Sequence, residues 1–341
     1  MDTSAEEIAF NPKGVCNFCQ EYDVKETQRR AETLHPGRPW ILHDLKRAGE
    51  GKKYDCLIGL SGGVDSSLCL HYLVENGVRP LAFSVDNGWN TKKAEENIMR
   101  MVETLKVPFY RYTIDIEKFV ELQGAFIKAG VKNIEIPSDH ILAATTYEIA
   151  RKYGIIYIIS GGNIATEGTM PESWGYQPRD LTHIKAIYKK FTGKKLKGLP
   201  TLSIWKYIYY RFVKGIKTIY LLDYYEYHRV KAIALLQDKY GWQPYGDKHG
   251  ESRFTHWFQN WYLPVKWGID KRKAHYASLI NSGQMTRPEA LQKLTEPLQY
   301  VPFGNEEKIL AYPKHDYKDY PNEEKIWKFM SKVYGILKGR K

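Results

Sequence analysis

The residues best equipped for chemistry are Ser61, Gly62, Gly63, Val64, Asp65, Ser66 and Ser67, which set two glycines among three hydroxyls and one carboxylate. A glycine pair lets backbone N–H groups converge without Cβ interference, and a helix starting there adds its positive end. Together these form an anion cradle, to which Ser61, Ser66 and Ser67 add hydroxyl donors. Asp65 would repel a phosphate unless Mg²⁺ stood between them, so its presence points to a metal-bound polyphosphate. Neither G-x-x-x-x-G-K-[ST] nor G-x-G-x-x-G is present, which sets aside the two commonest phosphate loops.

A second Ser-Gly-Gly, Ser160 to Gly162, is followed by Asn163 and Glu167. Further on, Lys248, His249, Glu251, Arg253 and His256 crowd cations and a carboxylate among aromatics. Lys248 and Arg253 suit phosphates or a sugar acid, with Glu251 orienting them or accepting a proton. The competing reading of this block is a surface ion-pair network. Trp257, Trp261 and Tyr262 have rings suited to stacking on a sugar or nucleobase, with core packing the favoured reading for most of them.

These groups need a scaffold, and the chain alternates short β-rich runs with amphipathic segments. "CLIGL", "PLAFSV", "VPFYRYTI" and "IIYIIS" read as strands, separated by helices over about 64–76, 91–106 and 138–154. Such alternation implies an α/β fold, a parallel sheet with helices on both faces, whose ligands bind beyond the carboxyl ends of the strands. Both Ser-Gly-Gly loops then open on one rim, where Asp86 ends the second strand. Three regions follow: a segment over 1–48 carrying Cys16 and Cys19, an α/β domain over 49–235 including a basic aromatic stretch at about 186–220, and a mostly helical region over 236–341. Within the middle region, 202–222 reads as a core helix whose lysines snorkel, or as a basic aromatic helix lying on a membrane surface.

The 341 residues carry a net charge of +12, which favours polyanionic partners. The opening "MDTSAEEIAF" lacks the pattern of a secretory signal, no stretch has the ~20 apolar residues a membrane span needs, and the cytoplasm is the expected location.

The hexamer SGGVDS resembles the PP-loop of the ATP pyrophosphatases, whose adenine nucleotide alpha hydrolase-like fold cuts ATP between its α and β phosphates. The resemblance implies that an acceptor oxygen attacks the α-phosphate and that pyrophosphate leaves into the loop. It assigns ATP and Mg²⁺ to Ser61, Gly62, Gly63, Asp65, Ser66 and Ser67, adenosine to Asp86, and nucleotide with acceptor to Gly161, Gly162, Asn163 and Glu167. "GVCNFC", "LSGGVDSS", "VDNGWN", "SGGN", "LLDYYEYHR" and "YGDKHGESRFTHWFQNWYLPVKWGIDKRKAH" together resemble the N-acetyl sugar amidotransferases of bacterial surface-polysaccharide and flagellin sugar pathways. That similarity implies adenylation of the acetamido oxygen of a nucleotide-linked N-acetyl sugar, then displacement by ammonia from a separate glutaminase to give an acetamidino group. Asp65, Glu167, Lys248, Glu251 and Arg253 become the catalytic candidates. Sequences of that group carry a further C-x-x-C ahead of M-D-T-S, so Cys16 and Cys19 are half of a zinc-ribbon set and hold Zn²⁺ firmly only if His35, His43 or a partner completes the shell. Cys56 in a buried strand and Cys69 within a helix are poor glutaminase nucleophiles. The alternatives are a tRNA-modifying PP-loop enzyme, disfavoured as a thiolase because no cysteine follows Cys69, and a non-catalytic nucleotide-binding subunit, which would have no need of Asp65.

Overall fold

The computed structural model describes residues 1–33, 40–246, 248 and 250–338, with side chains described through residue 332. Helices α1 (Asn17–Thr33) and α2 (Trp40–Ala48) precede a five-stranded sheet. Its strands are β1 (Cys56–Gly59), β2 (Pro80–Asp86), β3 (Phe109–Thr113), β4 (Tyr157–Ser160) and β5 (Lys217–Tyr220), in the order β3-β2-β1-β4-β5. Every pairing is parallel, with Leu57 level with both Leu81 and Ile158.

The alternation of strand side chains decides what covers each face. Cys56, Ile58, Ala82 and Ile159 bury against α2, α3 (Val64–Glu75), α4 (Lys92–Thr104) and the helix Arg229–Tyr240. Leu57, Leu81, Phe83 and Ile158 point the other way, into the helix Ile136–Lys152 and the stretch around Tyr210. Strands added on opposite sides of β1 place their crossover helices on opposite faces, which is the doubly wound arrangement that the alternation in the sequence implies. The order reverses between β1 and β4, and that switch point opens a crevice at the sheet's carboxyl edge.

A further core lies beyond the sheet. Cys16 and Phe18 pack there with Phe119 and Phe126 from the helix Ile116–Ala129, with Ile184 and Ile187 from the helix Leu181–Thr192, and with Phe254, Trp257, Trp261 and Tyr262. Asp180 fastens this core: buried at the start of Leu181–Thr192, it accepts from His183 N at 2.9 Å, Tyr176 OH at 2.5 Å and Glu323 N at 2.5 Å.

The stretch 202–222 corrects the expectation of a single helix. Only Ile204–Ile208 is α-helical; Tyr209–Val213 continues as a π turn, Gly215 turns the chain at φ +67°, and Lys217–Tyr220 is the edge strand β5. The basic residues mislead because an edge strand with exposed Lys217 and Thr218 lacks the apolar signature of a central one.

Asp180→Ala removes a helix cap and strands the Glu323 amide and the Tyr176 hydroxyl, so urea unfolding should show a loss of about 3 kcal/mol. Asp180→Asn keeps the cap acceptor and should lose less; equal losses would contradict this role.

Candidate functional site

At the end of β1 the chain enters Ser61-Gly62-Gly63 with Gly62 at φ +79°, a conformation open chiefly to glycine. A Cβ on Gly62 would also lie 2.3 Å from the Ala94 carbonyl oxygen in the first turn of α4, so this glycine is required twice over. The Gly62 carbonyl is drawn inward by Trp242 Nε1 at 3.2 Å and Asn97 Nδ2 at 3.4 Å. Asn97 is itself fixed, donating to Gln243 O and accepting from Gln243 N, each at 2.8 Å.

With that carbonyl held, three N–H groups converge on hydroxyl oxygens. Gly63 N donates to Ser61 Oγ at 3.2 Å, Val64 N to Tyr245 OH at 3.3 Å, and Ser61 N to Ser66 Oγ at 3.4 Å. These bonds are long, and a charged phosphate oxygen is a stronger acceptor than a hydroxyl. Gly63 is the N-cap of α3 and has no side chain to fill the space in front of the helix. Ser66 Oγ reaches back to Gly63 O at 3.3 Å, and Ser67 is buried in the first turn of α3.

The second Ser-Gly-Gly abuts this turn. A Cβ on Gly161 would stand 2.9 Å from Ser66 N, and one on Gly162 3.2 Å from the Tyr220 ring at the end of β5. The two loops therefore lock across the β1/β4 switch point. Asn163 caps a short helix, Ile164–Glu167: its Oδ1 accepts from Thr166 N at 2.9 Å and its Nδ2 donates to Gly161 O at 3.2 Å. Asp223 accepts from Ile164 N at 2.9 Å. Asn163 thus shapes the loop and is itself buried.

Asp65 stands where these pieces meet. Burial pushes its carboxyl above the ordinary range, Lys248 and Arg229 pull it back down, and Glu167 pushes it up. Tyr227 donates its hydroxyl to Asp65 Oδ1 and, buried beside that carboxylate, is held protonated. Lys248 Nζ lies 2.9 Å from Glu167 Oε1 and donates to Thr166 Oγ1 at 3.0 Å, so it bridges the second loop to Asp65's surroundings.

The late block, read as one cluster, divides. Residues 251–253 run antiparallel to the loop after β2: Thr91 N donates to Glu251 O and Arg253 N to Trp89 O, each at 2.8 Å. This pairing brings Glu251 to the first loop, its Oε1 being 3.4 Å from where a Gly63 Cβ would stand. Arg253 instead donates to Gly88 O at 2.8 Å. His256 contacts Asn260 within its own helix, and Trp257, Trp261 and Tyr262 are core. His249 lies outside the described residues. Asp86 ends β2 on the same rim and accepts from Gly88 N at 3.2 Å.

Tyr227, Tyr245, Asn97 and Trp242 contact the candidate site and have no role in the sequence reading. Tyr227 sits in "LLDYYEYHR" and Tyr245 opens "YGDKHGESR", both noted there as blocks, yet nothing local ties either hydroxyl to α3.

For metals, among the described residues no three His, Cys, Asp or Glu gather as a cluster. A Mg²⁺ fits Asp65 in the way Mg²⁺ is commonly held, by one or two carboxylates and the substrate's phosphates. For zinc, Cys16 and Cys19 approach to 3.5 Å between sulfurs, His43 is exposed on α2, and His35 lies outside the described residues. Two thiols without further ligands fall short of a closed tetrahedral shell. The Cys56 and Cys69 thiols are buried, and burial raises their pKa, so neither is a ready nucleophile.

Residues 251–303 match the family model described as LPS biosynthesis protein WbpG-like, C-terminal domain. Over 122 residues the chain is 34% identical to uncharacterized protein MJ1599 of Methanocaldococcus jannaschii, a match spanning 36% of this chain and 42% of that protein. NMN synthetase from Francisella tularensis aligns over 65% of this chain and 93% of its own, at 15% identity and a TM-score of 0.31. NH3-dependent NAD synthetase from Campylobacter jejuni, in complex with nitrate, aligns over 46% of this chain and 62% of its own, at 16% identity and a TM-score of 0.30.

A carboxyl whose folded pKa is raised contributes stability at low pH that is lost as pH rises through that pKa. Asp65→Asn escapes this loss, so its melting temperature should exceed that of the wild type near pH 8 and converge with it toward about pH 4. A lower melting temperature near pH 8 would contradict the buried-charge account.

Proposed function

We propose that this chain is an ATP-dependent, AMP-forming amidotransferase acting on a nucleotide-linked N-acetyl sugar. The observation that carries the reading is the N–H cradle at Ser61–Gly63, locked against the second Ser-Gly-Gly with Asp65 at the junction. The C-terminal match supports the acceptor class: its description belongs to LPS biosynthesis, and its first residues, Glu251 to Arg253, pair with the loop beside the cradle.

An amide carbonyl is a poor electrophile, and its oxygen cannot leave unactivated. In the proposed first step the acetamido oxygen bonds to the α-phosphorus of ATP while the bond from that phosphorus to the bridging oxygen breaks. The departing pyrophosphate keeps that oxygen and its electron pair. Gly63 N, Val64 N and Ser61 N, with the Ser61 and Ser66 hydroxyls, are the donors available to it, and the N-terminus of α3 favours its charge. Asp65 would hold Mg²⁺, which when bound offsets the negative charge of the phosphates. Asp86, at the neighbouring strand end, is our candidate to meet adenosine, and Lys248, paired with Glu167 and acting on Asp65, is our candidate to meet the acceptor.

In the second step ammonia attacks the activated carbon, a carbon–nitrogen bond forms, and AMP leaves with the former amide oxygen. Glu251 is our candidate to take the ammonium proton, and Arg253 positions its strand through Gly88. The buried thiols of Cys56 and Cys69 do not suit glutamine hydrolysis, so our reading assigns the ammonia to a separate glutaminase and the reaction to the cytoplasm.

Incubation with ATP, Mg²⁺, ammonium and a panel of UDP-N-acetyl sugars should yield AMP, pyrophosphate and a sugar whose mass shows O replaced by NH. Asp65→Ala should lower that turnover at least about a thousandfold with an unchanged circular dichroism spectrum. Formation of ADP and orthophosphate instead would overturn the reading.

A further inference from the structure

The turn Ile204–Val213 shows solvent a face that a globular protein normally hides. Trp205 is 75% exposed, Tyr209 42%, Phe212 46% and Val213 70%, at the i, i+4, i+7, i+8 spacing of one helical stripe. The opposite side is anchored: Ile204 is buried, and Tyr210 stacks on Tyr147 with ring centroids 5.7 Å apart. The exposed stripe is therefore a fixed part of the surface.

The segment that carries the stripe is one-sided in charge. From residue 181 to 222 the chain has ten Lys and Arg and no Asp or Glu. Lys206, Lys214 and Lys217 are exposed on and beside the stripe, and Lys214 Nζ lies 5.6 Å from the Tyr209 ring centroid. Aromatic rings that prefer the headgroup layer, flanked by lysines, match the composition of helices lying in the plane of an anionic bilayer.

We propose that the Trp205–Val213 face docks on an anionic lipid surface, inserting Trp205, Phe212 and Val213 among the headgroups while the lysines meet lipid phosphates. A second copy of this chain is a poor occupant, because two such cationic faces repel. Single-stranded nucleic acid would stack on successive aromatic rings, whereas the most exposed members of this stripe are Trp205 and the aliphatic Val213. The docking is peripheral: among the described residues no helix is long and apolar enough to cross a membrane.

The test is flotation of the full chain with vesicles of equal parts phosphatidylglycerol and phosphatidylcholine, against phosphatidylcholine alone. Binding should require phosphatidylglycerol and weaken as salt screens the lysines. Trp205→Ala with Phe212→Ala, and separately Lys206→Glu with Lys214→Glu, should each lower vesicle affinity about tenfold or more. All four side chains are exposed, so an unchanged melting temperature should accompany both pairs. No flotation with anionic vesicles, flotation indifferent to both pairs, or a single-stranded RNA complex that the same substitutions abolish in place of vesicle binding would overturn the assignment.

Discussion

The constraint on which the site depends is the backbone approach of Gly161 to the first turn of α3. A methyl group there would meet Ser66 N at 2.9 Å, too near for an ordinary carbon contact. This contact exists because β1 and β4 are hydrogen-bonded neighbours whose chains depart in opposite senses, so the loops leaving them must share one crevice. The shape of the N–H cradle, the place of Asp65 and the reach of Lys248 all follow from how tightly those two loops close. The Gly62 carbonyl enforces the same closure from the other side, where Trp242 and Asn97 hold it inward.

Around this junction the charges balance through a chain of partners. Asp65 is costly where it sits, and Tyr227, Lys248 and Arg229 each offset part of the cost. Lys248 in turn is fixed by Glu167 and Thr166 on the second loop. A cation brought to the rim would find a carboxylate whose burial leaves it short of solvation, and a phosphate would find N–H groups holding only weak partners. Such preorganisation draws its binding strength from folding energy already committed to the scaffold.

The legible parts of the sequence were those whose physics is local. The strand–glycine–helix chemistry of 61–67 needs only adjacent residues, and the near-continuous apolar runs "CLIGL" and "PLAFSV" mark strands buried on both faces. β5 escaped notice because Lys217-Thr218-Ile219-Tyr220 pairs on one side only, so its composition is that of a surface segment. Tyr227 and Tyr245 escaped because their partners, Asp65 and Val64, stand 162 and 181 residues away in the chain. The block from Lys248 to Arg253 looked like one charge cluster, but its short pairing with Trp89 and Thr91 sends Glu251 and Arg253 to different neighbours, a division set by a tertiary contact alone.

The most direct measurement on the locked loops is calorimetric titration of Mg²⁺-ATP into the wild-type chain and into Gly161→Ala. The account predicts binding to the wild type and at least about a tenfold loss in the variant, because the added methyl wedges the second loop away from Ser66 and opens the cradle. Equal affinity in a variant that remains folded, or a wild-type chain that binds no nucleotide, would contradict it.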